Sequence, residues 1–158
     1  MTASRADTPT TVTVDDLVGA WTLVSAVQTF DDGEQVPEFG PTADGYIIYT
    51  ADGSVSATLG DASRPRSGAT DPQRATDGQL AAMAQRFIAY AGPFTLDEDT
   101  GTVTHHIVTA LFTDWQAGEQ RRRVRIENGL LHEAGTPREA PDGRRFTVEL
   151  RWRRVPAG

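Results

Sequence analysis

The sequence predicts an all-β fold, an antiparallel up-and-down barrel of about eight strands in which one helix acts as a lid. Short segments of alternating apolar and polar residues recur from Trp21 to Val155, and tight turns such as Asn128-Gly129 separate them. A single long segment repeats its apolar residues with a helical period. Strands joined by tight turns pair with their sequence neighbours, and closing such a sheet removes its exposed edges. A β-sandwich is the alternative, but the long connections that it needs are scarce here.

The 158 residues are predicted to form a single domain over 14–156, preceded by a disordered tail over 1–13 that is rich in Thr, Ser and Asp. The net charge of -7 argues against a nucleic-acid partner, which needs a basic face. The absence of cysteine excludes disulfides and thiolate chemistry. No segment has the apolar length of a membrane span or the apolar core of a signal peptide, so we expect no membrane partner and a cytoplasmic location.

The N-terminal third is predicted to hold a helical turn, a strand and a β-hairpin. The hairpin closes through a type I turn at Thr50-Ala51-Asp52-Gly53, with the glycine in the left-handed region. This turn pairs Thr50 with Ser54 and thereby decides which residues face inward. The predicted elements are a turn at 15–19 and strands at 21–29, 46–50 and 54–59. The predicted inward set is Ile47, Tyr49, Val55, Ala57 and Leu59.

The central segment is predicted to form a polar loop followed by the one long helix. Residues 61–75 are polar and contain proline, which is typical of a mobile loop. Thr76 or Asp77 caps a helix that runs to Ala91, where Gly92-Pro93 ends it. The apolar stripe of this proposed lid is Leu80, Met83, Ala84, Phe87 and Ala91. The remaining strands are predicted at 94–97, 102–112, 119–127, 130–134 and 145–155.

Several segments resemble the lipocalin-like domain family of bacterial and fungal proteins. Gly19-Ala20-Trp21 resembles the GxW signature of lipocalins, and Arg151 or Arg153 resembles the arginine that packs over that tryptophan. The resemblance implies a closed barrel around a cavity for a small ligand. Some lipocalin-like barrels act as cofactor-free cyclases or isomerases, and others only carry ligands. The segments that carry the resemblance are LVGAWTLVSA (17–26), GYIIYTADGSVSATL (45–59), FIAYAGPFTLD (87–97), GTVTHHIVTALFTDW (101–115), GEQRRRVRIENGLL (118–131) and LRWRRV (150–155).

Two adjacent histidines, His105 and His106, form the first candidate site. Neighbouring residues on a strand point to opposite faces, so the pair cannot chelate one metal ion. The residues that share each face differ little in apolarity, and we predict His105 inward and His106 toward solvent or the lid. An inward histidine would act as a general acid or base near neutral pH, whereas a structural histidine would only complete hydrogen bonds.

The turn at Asn128-Gly129 decides whether His132 or Glu133 faces the cavity. A two-residue type I′ turn would bring Glu133 inward beside Val124. A type I turn with a glycine bulge would bring His132 inward and would pair Glu133 with Arg123 on the outer face. The second register satisfies more residues, so the sequence favours His132 inward. Its role is open between a functional and a structural one.

Arg122 and a group of aromatic residues complete the candidate site. Arg122 shares its face with Val124, and an inward guanidinium needs an anionic or carbonyl partner to offset its desolvation. That partner is either a ligand oxygen or a glutamate of the barrel. Tyr49 would donate its hydroxyl to a ligand oxygen or pack in the wall. Glu149 is expected to pair with the outward arginines. The side chains predicted to line the cavity are Trp115, Trp152, Phe87, Ile47, Val55, Val124 and Leu111.

These residues predict a small-molecule site without a cofactor or a metal ion. No GxGxxG, Walker or GxSxG motif occurs, and three histidines without cysteine argue against zinc. The leading hypothesis is a cofactor-independent cyclase or isomerase acting on a polyketide- or terpenoid-like substrate. The alternatives are a non-catalytic carrier or sensor of a hydrophobic molecule, and an interaction module whose own side chains fill the cavity; a homodimer is an option in each case. The predicted catalytic residues are His105, His106, His132, Arg122 and Tyr49.

Overall fold

The computed structural model describes residues 10–158, so the predicted tail over 1–13 lies mostly outside it. In the described part of that tail, Val12 is buried and Thr13 caps the first helix. None of the helices within residues 10–158 has the length and apolarity needed to cross a membrane. The α-helices are α1 (Val14–Leu17) and α2 (Asp77–Ala84), and short 3-10 helices lie at Pro72–Arg74 and Thr113–Trp115. The strands are β1 (Gly19–Phe30), β2 (Gln35–Pro37), β3 (Ala43–Tyr49), β4 (Ser54–Asp61), β5 (Phe87–Asp97), β6 (Thr102–His106), β7 (Thr109–Ala110), β8 (Glu119–Glu127), β9 (Leu130–Gly135), β10 (Arg138–Glu139) and β11 (Arg145–Arg154).

Eight of these strands close into one antiparallel barrel. They follow one another around the barrel in the order β1, β3, β4, β5, β6, β8, β9 and β11, and β11 then pairs with β1. The short strands β2, β7 and β10 extend the sheet beside β1, β5 and β11. Inward and outward positions alternate along each strand, so the barrel separates two sets of side chains. The predicted up-and-down barrel is confirmed.

The hairpin of β3 and β4 has the predicted register. Tyr49 pairs with Val55, and the amide of Thr50 donates to the carbonyl of Ser54 across the turn at 2.9 Å. Gly53 adopts a φ of 91°, a conformation that favours glycine. All the residues predicted to face inward here are buried, namely Ile47, Tyr49, Val55, Ala57 and Leu59.

The predicted long helix is part helix and part strand. α2 begins at the predicted cap, where the Thr76 hydroxyl accepts the amide of Gln79, but it ends at Ala84. The chain then enters β5, which begins at Phe87 and pairs with β4. The segment after Phe87 alternates in apolarity as well as repeating with a helical period. Pairing in the sheet buries Tyr90, whereas α2 buries none of its residues, so the sheet overrides the helical pattern.

α2 lies outside the barrel cavity. None of its residues lines the cavity wall, and it borders instead a depression that it shares with residues 65–67. Phe87, which the sequence placed on the stripe of the lid, packs on the outer surface with the guanidinium of Arg64 3.9 Å from its ring centroid. None of the residues on the predicted apolar stripe of the lid therefore lines the cavity.

The strand predicted over 102–112 is interrupted by a bulge. β6 ends at His106, and the chain pairs with β5 again as β7. Gly92, predicted to end the helix, lies within β5 opposite this bulge. A Cβ on Gly92 would lie 1.9 Å from the carbonyl oxygen of His106, so the close approach requires glycine. Beyond the bulge Val108, Leu111 and Phe112 are exposed.

Trp21 closes one end of the barrel beneath α1. Its indole N–H donates to the carbonyl of Leu17 at 2.9 Å, and the guanidinium of Arg154 lies 4.1 Å from its ring centroid. Arg154 also donates to the carbonyls of Asp16 and Val18, which fastens α1 to the last strand. The expectation that Arg151 or Arg153 covers the tryptophan is wrong, because Arg154 is the residue that pairs with Trp21 in the β1–β11 register.

Candidate functional site

A cavity of about 190 Å³ occupies the barrel on the side opposite α1. It is smaller than the ~300–1,000 Å³ pockets of drug-sized ligands and comparable to a ~150 Å³ apolar cavity that accepts benzene. The enclosed part of a ligand is therefore about the size of one ring. The apolar lining consists of Phe39, Ile47, Ala57, Leu59, Ile88, Trp115, Val148, Leu150 and Trp152. The polar lining consists of Glu38, Tyr90, Gln120, Arg122, Glu133, Thr136 and Arg138.

Glu133 is the fully buried one of the two acidic residues, Glu38 and Glu133, that line the cavity. It pairs with Val124 because Asn128-Gly129 forms a two-residue turn with φ angles of 52° and 75°, as a type I′ turn requires. The predicted inward orientation of His132 is therefore wrong, and so is the pairing of Glu133 with Arg123 on the outer face. This register also places Leu131, which is fully buried, on the inner side of β9.

The Glu133 carboxylate receives two hydrogen bonds inside the barrel. The Tyr49 hydroxyl donates to Oε1 at 2.5 Å, and the indole N–H of Trp152 donates to Oε2 at 3.2 Å. Both donors come from strands distant in sequence, β3 and β11. Glu133 is only 1% exposed, and these two hydrogen bonds hold its buried carboxylate in one orientation.

His105 links Glu133 to the second tyrosine of the cavity. Its Nε2 lies 2.7 Å from the Tyr49 hydroxyl, and its Nδ1 lies 2.7 Å from the Tyr90 hydroxyl. Because Tyr49 donates to Glu133, its oxygen accepts from Nε2–H of the neutral ring, and Nδ1 then accepts from Tyr90. The predicted inward orientation of His105 is confirmed. The result is an ordered chain of hydrogen bonds from Tyr90 to Glu133.

Burial shifts the pKa values of this chain away from their ordinary ranges. Burial, supported by electrostatic interactions with Arg122 and His106, lowers the pKa of His105 to about 3, so the His105 ring is neutral near pH 7. Burial raises the pKa of Glu133, against hydrogen bonds from Tyr49 and Trp152 and the charge of Arg122. Burial also raises the pKa values of both tyrosines, which keep their protons.

Arg122 brings a positive charge to the same wall. Its guanidinium donates to Gln120 Oε1 at 3.1 Å and to the carbonyl of Arg121 at 3.0 Å. Within residues 10–158 it makes no ion pair with a carboxylate. It lies beside Gly135, where an added Cβ would be 3.6 Å from Nη1, so the absent side chain leaves space next to the guanidinium. Arg122 therefore faces the cavity with unused donors.

The outer face of the same strands carries a second cluster. His132 Nδ1 lies 3.2 Å from Glu149 Oε1 and 3.1 Å from Arg125 Nη2. Glu149 also accepts from Arg125 and Arg151, as predicted for an outward partner of the arginines. Burial raises the pKa of Glu149, but the hydrogen bonds from Arg151, His132 and Arg125 outweigh it and lower the pKa overall.

His106 is also outside the cavity, as predicted. Its Nε2 lies 3.1 Å from the Thr95 hydroxyl and its Nδ1 3.4 Å from Glu119 Oε1. Neither His106 nor His132 reaches the interior, so two of the five predicted catalytic residues lie apart from the other three. The structure brings together Tyr49, His105 and Arg122.

The predicted ligand-binding residues fall into three groups. Trp115, Trp152 and Ile47 line the cavity. Val55 and Val124 are buried in the core but do not line it. Phe87 faces outward on β5, and Leu111 is 47% exposed after the bulge, so their placement in the cavity is wrong. Both errors follow from the misassigned helix and the uninterrupted strand that the sequence predicted.

Tyr90 is one of several cavity residues that sequence reasoning missed. It lay inside the predicted helix and was not assigned to the cavity. The alternation of Ile88, Tyr90 and Phe94 on one side of β5 was the signal that could have found it. Within the described residues, no group of three or more His, Asp or Glu side chains is arranged to hold a metal ion.

The comparisons with known proteins agree with this architecture. A search of curated proteins found no match to the chain. A family model described as a lipocalin-like domain matches residues 18–155, a range that contains all eight strands of the barrel. A lipocalin-like barrel suggests the binding of a small hydrophobic molecule. Because the match covers most of the chain, this protein belongs to the lipocalin-like domain family.

Proposed function

We propose that the protein binds a small, largely apolar molecule in its barrel and acts on it as a cofactor-independent isomerase or cyclase. The observation that supports this most is the buried carboxylate of Glu133 on the cavity wall, joined by hydrogen bonds to Tyr49 and His105. A raised pKa brings a carboxylate closer to the pH at which a general base works best. Such a group in a small cavity with both apolar and polar walls is suited to moving a proton on a bound molecule.

Glu133 replaces the histidines as the proposed base. His132 and His106 face outward, and His105 is buried with a pKa of about 3. A neutral His105 does not supply a proton from an imidazolium at neutral pH. It can pass one, because it accepts from Tyr90 on one side and donates toward Tyr49 on the other. His105 and Tyr49 are thus positioning and relay residues.

This chain of hydrogen bonds would give the protein two positions at which a proton can be transferred to or from the ligand. Tyr90 and Glu133 both line the cavity, and His105 and Tyr49 connect them through the wall. For a proton taken up by Glu133 to leave at Tyr90, the Tyr49 hydroxyl must rotate and His105 must change tautomer, so that each hydrogen bond of the chain reverses its direction. A proton removed at one position of a ligand then returns at another, which is what an isomerisation or a cyclisation requires. The enclosed volume limits the reacting part to about one ring of a polyketide- or terpenoid-like substrate, with the rest extending through the mouth.

Proton exchange at carbon tests this proposal directly. Ring-sized ketones, lactones and nitroalkanes would be incubated with the protein in deuterium oxide, and deuterium uptake would be measured by mass spectrometry. We expect at least one bound compound to exchange faster than in buffer. Glu133→Gln should reduce that rate by roughly 10²–10⁴-fold, the usual contribution of a general base, while binding remains. The matched control is Glu127→Gln, an exposed glutamate on the adjacent strand β8.

Exchange that proceeds at the wild-type rate in Glu133→Gln would contradict the role of Glu133. Binding without any exchange in the wild type would instead favour a non-catalytic carrier or sensor. One observation favours that second candidate. Within residues 10–158, every buried side-chain nitrogen and oxygen already has a hydrogen-bond partner, as a purely structural polar core requires.

A further inference from the structure

We infer that the substrate is an enolisable carbonyl compound whose oxygen binds Arg122, so that the reaction begins with removal of a proton from the carbon next to the carbonyl. This inference rests on the proposed function, because it takes Glu133 to be the base. The proposed function does not say where the negative charge goes when the proton leaves the substrate. The inference places that charge on the carbonyl oxygen and names Arg122 as the residue that stabilises it.

The position of Arg122 relative to Glu133 is the first argument. Arg122 pairs with Gly135 and Glu133 pairs with Val124 on the adjacent strands β8 and β9. The two charged residues are thus diagonal neighbours on the inward face, a relation that separates Cα atoms by about 7 Å. Gly135 has no side chain to fill the space beside the guanidinium. Both side chains line the same cavity, so one ligand can place a carbonyl oxygen at Arg122 and a C–H group at Glu133.

The hydrogen bonding of Arg122 is the second argument. Its two recorded acceptors, Gln120 Oε1 and the carbonyl of Arg121, are both neutral. A guanidinium has five N–H donors, and one that faces a low-dielectric cavity is best compensated by a negative oxygen. Arg125 on the outer face of the same strand makes ion pairs with Glu127 and Glu149. Arg122, by contrast, has neutral partners, and it lies on the inner face of the strand, where a ligand would bind.

The charges before and after proton transfer are the third argument. With a neutral carbonyl compound bound, Glu133 carries the negative charge. Glu133 then takes the α-proton, the C–H electron pair forms a carbon–carbon double bond, and the carbonyl π electrons move onto the oxygen. The negative charge thereby moves from Glu133 to an oxygen that Arg122 faces, and the total charge of the cavity is unchanged. A preformed positive group at that position stabilises the enolate without reorganisation.

A phenolate of one ring mimics the enolate and reports its own charge. The test titrates the protein with 4-nitrophenol, whose ionised form has a separate absorption band, near the pH at which the free phenol is half ionised. Nitrobenzene, a neutral molecule of similar size, is titrated in parallel, and quenching of Trp115 and Trp152 in the cavity wall reports its binding. We expect the wild type to bind 4-nitrophenol as the phenolate, with an affinity at least tenfold higher than its affinity for the neutral phenol.

Two variants of the same strand identify the residue responsible. Arg122→Gln should lose at least tenfold in phenolate affinity and keep its affinity for nitrobenzene, which also shows that the cavity remains folded. Arg121→Gln, at the exposed neighbouring arginine, should match the wild type, and Arg122→Lys should retain part of the effect. Glu133→Gln should bind the phenolate at least as tightly, because a negative charge is removed from the cavity.

The results separate this inference from the proposed function. Binding of 4-nitrophenol as the neutral phenol, or equal phenolate binding by Arg122→Gln, would overturn the assignment of the oxygen to Arg122. Deuterium exchange that depends on Glu133 would still support the proposed function in that case. Failure of both 4-nitrophenol and nitrobenzene to bind would overturn the two together, because the cavity would then not accept a ring.

Discussion

Two histidine–glutamate clusters lie back to back on the barrel wall and differ in almost every physical property. The inner one joins His105 to Glu133 through Tyr49, and the outer one joins His132 directly to Glu149. Glu133 and His132 are adjacent in sequence, yet they belong to opposite clusters. The inner carboxylate has tyrosine and tryptophan donors, whereas the outer one has arginines.

The comparison shows that the face of the strand, more than the residue type, determines the chemistry. Burial raises the pKa of Glu133, whose hydrogen-bond donors are the uncharged Tyr49 and Trp152. Hydrogen bonds from cationic groups lower the pKa of Glu149. The inner cluster is dry and close to uncharged apart from its carboxylate, so it is suited to holding and moving a proton. The outer cluster is a solvated ion-pair network, which stabilises the fold slightly and has no access to the cavity.

Removal of one hydroxyl from the inner cluster gives the largest expected effect on stability. Tyr49→Phe leaves the His105 N–H without an acceptor and Oε1 of Glu133 without a donor in the buried interior. At about 1–3 kcal/mol for each unsatisfied buried group, the free energy of unfolding should fall by roughly 4 kcal/mol. Tyr46→Phe is the matched control on the same strand, since Tyr46 is 51% exposed, and it should change stability by less than about 0.5 kcal/mol. Urea denaturation measures both, and equal effects would mean that the inner chain is not intact.

The acid dependence of stability gives the next largest effect. His105 has a pKa of about 3 in the folded protein against an ordinary value of 6.5, so the unfolded chain binds a proton that the folded one rejects. Stability contributed by a neutral His105 is present above pH 6.5 and is lost as pH falls toward 3. At about 1.4 kcal/mol per pH unit, the loss between pH 6.5 and about pH 4.5 is about 3 kcal/mol.

His105→Gln should remove this slope while keeping groups able to hydrogen-bond with both tyrosines. The free energy of unfolding of the variant, measured by urea denaturation across that pH range, should therefore fall by about 3 kcal/mol less than that of the wild type. His106→Gln removes a histidine from the outer face of the same strand and serves as the control. A parallel decline in the wild type and His105→Gln would show that His105 is not held neutral.

The outer cluster should give the smallest effect and the one most sensitive to salt. Glu149 has a lowered pKa, so its contribution is present above its ordinary value of 4.5 and is lost as pH falls through its folded pKa. Because its partners Arg125 and Arg151 are about half exposed, Glu149→Gln should cost no more than about 1 kcal/mol at neutral pH. About 1 M NaCl should remove most of that difference through screening. A cost of several kcal/mol that resists salt would place this cluster in a dry environment instead.

The barrel and part of its site could be predicted from the sequence because local patterns determine them. Alternation and turn residues locate most strands, and the phase of β3 gives Tyr49 its inward orientation. Strand phase also places Arg122 on the cavity wall with Val124. The sequence could not distinguish helix from strand after Phe87, since both patterns fit that segment until β4 supplies a partner.

Glu133 could not be assigned from local sequence because its partners are distant. Both registers at Asn128-Gly129 use a glycine with positive φ, and the bulged register satisfies more residues in the sequence, because it pairs Glu133 with Arg123 on the outer face. The donors that reverse this balance lie on other strands: Trp152 is on β11, which pairs with β9, and Tyr49 is on β3, which the barrel brings near. Complete burial of Leu131 on the same face adds to the preference for the type I′ turn.

The central claim is that Glu133 and Glu149 are different acids because they lie on opposite faces of one wall. Carbon-13 NMR of the side-chain carboxyl groups, assigned with Glu133→Gln and Glu149→Gln, follows both titrations in one sample. The account predicts that Glu133 titrates above 4.5, the ordinary pKa of a glutamate, and that Glu149 titrates below it. Titration of Glu133 at or below the pKa of Glu149 would contradict the account, because the inner carboxylate would then be as well solvated or paired as the outer one.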